Sequence, residues 1–195
     1  MKKLLILATM LSSFVVVNAI KVHSAGNLVF LNGVSTVNVR FTYDNMIVNG
    51  MTETDYVKKK VSEYNAQKPG RGDEFAKTWE TNKQHVYPNH FIELFEKNCD
   101  MVNNNFFEQK YSIIVNTNFF DPGLHAGVGH KTAEISVVVR IVETAYPDKV
   151  LGEITILNSS GHAGLGHEFD AASRVAEAYA KAGREWGIII KEACK

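Results

Sequence analysis

Between residues 37 and 43 apolar and polar positions alternate. Val37, Val39, Phe41 and Tyr43 fall on one side, and Asn38, Arg40 and Thr42 on the other. A period of two predicts a strand with one apolar face. Residues 28–31 precede the turn signal Asn32-Gly33 and leave a further short strand open. After this the period lengthens. Thr52 and Asp55 match a capping box, with Met51 placed to staple onto Tyr56. Val57, Val61 and Tyr64 then recur at helical spacing. "KPGRGD" (68–73) breaks that helix, and Asp73 is expected to cap the next one, where Phe75 and Trp79 share a face. A third helix is expected from about Pro88, with Phe91, Leu94, Phe95 and Val102 as its buried stripe.

The period of two then returns in three segments. Tyr111, Ile113, Val115 and Phe119 alternate with polar residues. So do Ile135, Val137, Val139 and Ile141, and again Ile154 and Ile156. "AYPDK" (145–149) separates the last two, with Pro147 placed to start a hairpin turn. A long helix follows from about Asp170, with Val175, Tyr179, Ala182, Trp186, Ile189 and Ala193 along one side. Strands with one apolar face need cover on that side only. The pattern therefore predicts an α+β two-layer sandwich: an antiparallel or mixed sheet of about four strands with helices on one face, in the order β-ααα-βββ-α. Val138 and Val142 interrupt the polar face, as strand formers or as a partner surface.

The N-terminus changes the picture of where the protein works. Met1-Lys2-Lys3 leads into an apolar run that ends in small residues at Val17-Asn18-Ala19. That is the form of a secretory signal peptide, with cleavage expected after Ala19 and a weaker site after Ala25. The run is shorter than the about 20 residues a membrane span needs. Residues 20–195 would then form one domain with no transmembrane segment, exported to the periplasm or secreted. The chain has 21 basic and 21 acidic side chains. Without Lys2 and Lys3 it is slightly acidic, which argues against a nucleic-acid surface. Two cysteines, Cys99 and Cys194, could pair in an oxidising compartment, and sequence leaves that open.

Candidate chemistry concentrates in a near-repeat. "HAGVGH" (125–130) and "HAGLGH" (162–167) hold four of the seven histidines. If the last three strands form a meander, both hexapeptides lie on one rim of the sheet. His125, His130, His162 and His167 could then ligate zinc or another transition metal, with Asp121 and Glu168 as nearby carboxylates. Gly127, Gly129, Gly164 and Gly166 could instead shape a backbone cradle for an anion or small ligand ahead of the last helix. The plain reading is that both are ordinary turns, and no cofactor is predicted on that reading. His167-Glu168 begins like a zinc-protease motif, but Ala171 stands where the second histidine belongs. No nucleophile elbow, P-loop or dinucleotide fingerprint occurs. Arg71-Gly72-Asp73 reads as a turn into a helix rather than an adhesion signal, and Lys58 to Lys60 as a solvated helix face.

Several stretches are similar to a family of small exported Gram-negative proteins of unknown function. They are "FTYDNMIVNGMTETDYVKKKVSEYNAQKPGRGDEF" (41–75), "NTNFFDPGLHAGVGHKTAEISVVVRIVET" (116–144) and "RVAEAYAKAG" (174–183). The resemblance implies export and an α+β fold, and carries no catalytic residue across. Together these observations suggest an exported envelope protein, non-catalytic, acting by binding a protein partner or a small ligand. The alternative is a metal-binding, hydrolytic protein built on the paired His/Gly loops, with Glu168 as base.

Overall fold

In a computed structural model, residues 20–126, 129–162 and 171–195 are described. The elements in chain order are β1 (Lys21–Ala25), β2 (Thr36–Thr42), β3 (Ile47–Val48), β4 (Met51–Thr52), α1 (Glu53–Gln67), α2 (Arg71–Thr81), α3 (Tyr87–Asn98), β5 (Val102–Asn103), β6 (Tyr111–Asp121), β7 (Leu124–Ala126), β8 (Gly129–Lys131), β9 (Ala133–Glu143), β10 (Tyr146–Gly161) and α4 (Ala171–Ala193). Residues 1–19, the expected signal peptide, lie outside the described residues.

Alternation has its expected consequence in the long strands. Val37, Val39, Ile113, Val115, Val137, Val139, Ile141, Ile154 and Ile156 are all buried on one face of the sheet. The strand order is β1-β10-β9-β6-β2-β5, with β3 also on β6 and β4 on β3. The sheet is mixed. β2 runs parallel to β6, with Val39 opposite Ile113, because three helices carry the chain across between them. β6, β9 and β10 are successive antiparallel neighbours. The fold is thus α+β as expected, but the sheet has eight strands rather than about four. The additional strands are short, and a two-residue strand has no period to read. The sides chosen by β1 and β5 are set by pairing with β10 and β2 instead.

Other expectations shift by a residue or a turn. Thr52 caps α1, its hydroxyl accepting the Asp55 N–H at 3.2 Å. Asp73 is not a cap: α2 starts two residues earlier, behind Gly70 in the left-handed region at φ 85°. Gly72 then sits so close to α1 that a Cβ there would lie 2.2 Å from the Val61 carbonyl oxygen. Residues 28–31 form no strand; Val29–Leu31 is a 3-10 turn. Val102 leaves the helical stripe for β5 and is exposed. The β9–β10 reversal falls at Thr144-Ala145, and Pro147 lies in an irregular stretch of β10. Val142 is fully buried, so it offers nothing to a partner, while Val138 is half-buried.

α2 and α3 join through a π turn at Asn82–Val86, immediately ahead of Pro88. Proline has no N–H to donate and crowds the preceding turn. The wider turn absorbs both faults, with the Tyr87 N–H reaching back to the Asn82 carbonyl. α3 and α4 cross side by side over the sheet, where the rings of Phe95 and Trp186 meet at 4.8 Å. Phe91 stands edge-on to Phe41 of β2 at 5.5 Å, tying that layer to the sheet. Cys99 and Cys194 are both free thiols. Among the described residues no helix is long and apolar enough to cross a membrane.

Candidate functional site

The meander puts the backbone of His125, His130 and His162 at one end of the sheet. Asp121 at the end of β6 pairs with Glu134, and Gly161 at the end of β10 pairs with Ala133. In the β7–β8 hairpin the backbone register sets His125 opposite His130, and Ala126 opposite Gly129. His162 follows β10 on the same rim. It is exposed, and its backbone N–H donates to the Glu177 carboxylate at 2.7 Å. Gly127, Gly164, Gly166, His167 and Glu168 lie outside the described residues. Among the described residues, no group of three or more His, Cys, Asp or Glu side chains is placed to hold a metal. Asp121 is already engaged. One carboxylate oxygen accepts the Gly123 N–H at 2.8 Å, and the other takes the Lys131 ammonium. This closes the Asp121-Pro122-Gly123 turn, where Gly123 has φ 70° and a Cβ would strike the Lys131 carbonyl at 2.4 Å.

Beside that rim, on the helical side, runs a groove of about 380 Å³ between α1, α2 and the start of α4. Its wall is a chain of rings. Tyr64 meets Phe75 at 5.2 Å, Phe75 meets Trp79 at 5.9 Å, and Trp79 meets Tyr56 at 5.4 Å and Phe120 at 5.1 Å. Such rings offer flat apolar area with little conformational entropy to lose. Two cations line the same space. Lys60 lies 6.0 and 5.9 Å from the ring centres of Tyr56 and Tyr64, and its hydrogen bond to Glu63 raises its pKa. Arg174 is buried at the mouth and donates to the Pro122 carbonyl at 3.2 Å. Gly123 and the exposed Leu124 form the lip next to the β7–β8 hairpin. Among the described residues, the lining contains no histidine, cysteine or carboxylate.

The floor is held by a polar network that runs from buried Trp79 and Lys83 out to the exposed Glu80. Trp79 donates its indole N–H to Glu53 at 2.7 Å, and Glu53 also receives Lys83. Lys83 reaches Glu80 at 3.0 Å and lies 4.9 Å from the centre of the Tyr43 ring. Burial works against its charge, but the hydrogen bonds to Glu53 and Glu80 outweigh that and its pKa is raised. The π turn contributes here. It sends the Tyr87 N–H to Asn82, and the Lys83 carbonyl accepts the Tyr43 hydroxyl at 2.6 Å. Deeper in, the Tyr179 hydroxyl bonds Thr117 at 2.6 Å, and its ring stacks on Tyr87 at 5.1 Å. Burial pushes both the Tyr43 and Tyr179 hydroxyls up, so these phenols stay neutral.

Sequence reasoning placed a site at the histidine turns and missed the groove. Its aromatics read as core stripes of separate helices, and the alternation pointed to Phe119, whereas a bulge after Thr117 turns Phe120 inward. The signal was the density of rings on α1 and α2 combined with Lys60 on the same helix face.

Neither a protein-family profile nor a curated protein matches the sequence. Among solved structures, the chain is similar in fold to the PelC dodecamer of Paraburkholderia phytofirmans, at 8% identity and TM-score 0.45, over 89% of this chain and 98% of that one. A PelC variant dodecamer from the same organism gives 11% identity and TM-score 0.40, over 83% and 95%. A Xanthomonas campestris protein of family DUF330 gives 8% identity and TM-score 0.38, over 82% and 84%.

Proposed function

We propose that the protein is an exported, non-catalytic binding module of the cell envelope, and that the aromatic groove is its ligand site. The lysine-led apolar run at residues 1–19 supports export. The observation that carries the binding assignment is the lining itself: a continuous row of rings with Lys60 and Arg174, in which no histidine, cysteine or carboxylate occurs among the described residues. Such a lining suits a small amphiphile with a flat or apolar body and one anionic group. The rings bury the body, and Lys60 meets the anion without first giving up a deeply buried partner, since Glu63 is on the surface.

An aromatic sulfonate dye of the anilinonaphthalene type is a direct probe. Its fluorescence should rise on binding, and a medium-chain fatty acid should displace it. Phe75→Ala should weaken binding by about tenfold through lost ring area. Lys60→Gln should weaken it by about three-fold, the size of a partly exposed charge contact. Binding that ignores both substitutions refutes the assignment.

A second reading is supported by the backbone of the rim. The backbones of His125 and His130 pair in register, and His162 follows β10 at the same end of the sheet. On this reading these three and His167 bind zinc or a similar ion, with Glu168 beside it. Metal analysis of protein purified without a histidine tag tests it: no stoichiometric metal after zinc loading and desalting removes it.

A further inference from the structure

The opposite end of the sheet carries a different feature. Between β5 and β6 the chain turns through residues 104–110, and Phe106 and Phe107 at the tip are 95% and 73% exposed. Two adjacent phenylalanines in water are costly, and this loop is built to keep them there. Asn38, 4% exposed, donates to the carbonyls of Asn104 and Phe107 at 2.7 and 3.0 Å and accepts the Gln109 N–H at 3.0 Å. Asn103 and Asn105 both accept the Val39 N–H, at 2.9 and 3.1 Å, and Asn105 donates back to the Val39 carbonyl at 3.0 Å. The Phe106 N–H is taken by Asn104 at 3.2 Å. The asparagine side chains thus continue the β2 edge where strand pairing has ended and anchor the base of the loop to Asn38 and Val39.

We propose that this loop is a membrane-docking element that seats Phe106 and Phe107 in the headgroup–acyl boundary of a lipid bilayer. Three observations favour a bilayer over a protein partner. The rings project from a convex tip, whereas a stable protein interface needs about 800 Å² on each side. Two phenyl rings fall far short of that, but they need no complementary surface to enter lipid. The Phe106 N–H is taken by Asn104 and the Phe107 carbonyl by Asn38 and Gln109, so these two groups beside the rings need no water when the rings enter lipid. The neighbouring β9–β10 turn, joined to the loop by the Thr144 N–H to Lys110 carbonyl bond at 2.9 Å, adds the exposed Tyr146 on the same rim. Glu108, Glu143 and Asp148 stand there with Lys110 and Lys149, so the rim has no basic excess to draw it to anionic lipid. Docking should therefore depend little on lipid charge.

The test is co-sedimentation of the mature chain with phosphatidylcholine vesicles, with and without phosphatidylglycerol. Wild-type protein should partition onto both, with similar affinity. The Phe106→Ser/Phe107→Ser double variant should lose on the order of 100-fold in partitioning, roughly tenfold per ring. Its thermal midpoint should be unchanged, because neither ring contributes to the core. Failure of the wild type to bind either vesicle overturns the proposal, and so does undiminished binding by the double variant. A wild-type dimer that the double variant converts to monomer, with no vesicle binding, would show instead that the tip joins two copies. Dye binding in the aromatic groove lies at the far end of the sheet and should be indifferent to both phenylalanines, so the two assignments stand or fall separately.

Discussion

Gly183 offers a prediction in which two physical effects oppose each other. It lies on α4 where that helix crosses α3, and a Cβ there would lie 2.1 Å from the Phe91 carbonyl oxygen and 2.8 Å from its carbon. Helix propensity alone says that Gly183→Ala stabilises, by about 1 kcal/mol. Packing says the reverse. A contact of 2.1 Å must open by about 1 Å to become tolerable, and its nearest atom is backbone, which cannot swing aside like a side chain. Moving α3 away from α4 loosens the contacts of Phe91 with Phe41 and of Phe95 with Trp186. Overpacking of this kind costs about 3 kcal/mol at the upper end of its usual range. The net loss is then about 2 kcal/mol, or a fall of about 4–8 °C in thermal midpoint for a chain of this size. Urea unfolding monitored by far-UV circular dichroism measures it, with Gly187→Ala as comparison. At Gly187 the nearest atom is the Phe95 oxygen at 2.8 Å, so the loss should be smaller. If Gly183→Ala matches or exceeds wild-type stability, the close crossing is wrong and propensity has won.

Asn38→Leu should strand the Asn104 carbonyl and the Gln109 N–H and leave the Phe107 carbonyl only the Gln109 side chain, costing about 2 kcal/mol; hydrogen exchange at Gln109 should accelerate more than in the sheet centre. Burial pushes the Cys99 thiol up to about 11, so a disulfide-exchange reagent at pH 8 should modify Cys194 in the native protein and Cys99 only after denaturant is added. The folded chain holds the Cys99 proton to higher pH than the unfolded chain, so this thiol makes stability fall as pH rises from about 9 to about 11, an effect that Cys99→Ala should remove in pH-dependent unfolding.

The groove and the loop differ in how far the chain advertises them. Asn103, Asn104 and Asn105 carry no periodic signal, and nothing local says that they bond Asn38 and Val39, more than sixty residues away. Phe106 and Phe107 read as two more apolar residues ahead of β6 until their exposure is known. Trp79 and Phe120 become neighbours only through the β2–β6 crossover, which lays α2 over the end of β6. The His125–His130 pairing is partly legible, since a glycine-rich hexapeptide bounded by histidines can close as a hairpin. Its alignment with His162 needed the strand order.

Local periodicity in this chain determined the four long strands, the helical run between the first two and the buried side of each as far as the bulge in β6, beyond which Phe120 rather than Phe119 is buried. Those properties depend on neighbours within a few residues, where the period of two or of about 3.6 fixes which side chains share a face. The Thr52 cap and the Pro88 helix start belong with them. Tertiary structure alone decided the parallel pairing of β2 with β6, the four short strands of the eight-stranded sheet, the crossing at Gly183, the aromatic groove and the projection of Phe106 and Phe107. Each of these depends on which distant surfaces meet, and contacts made across such separations leave no period along the chain.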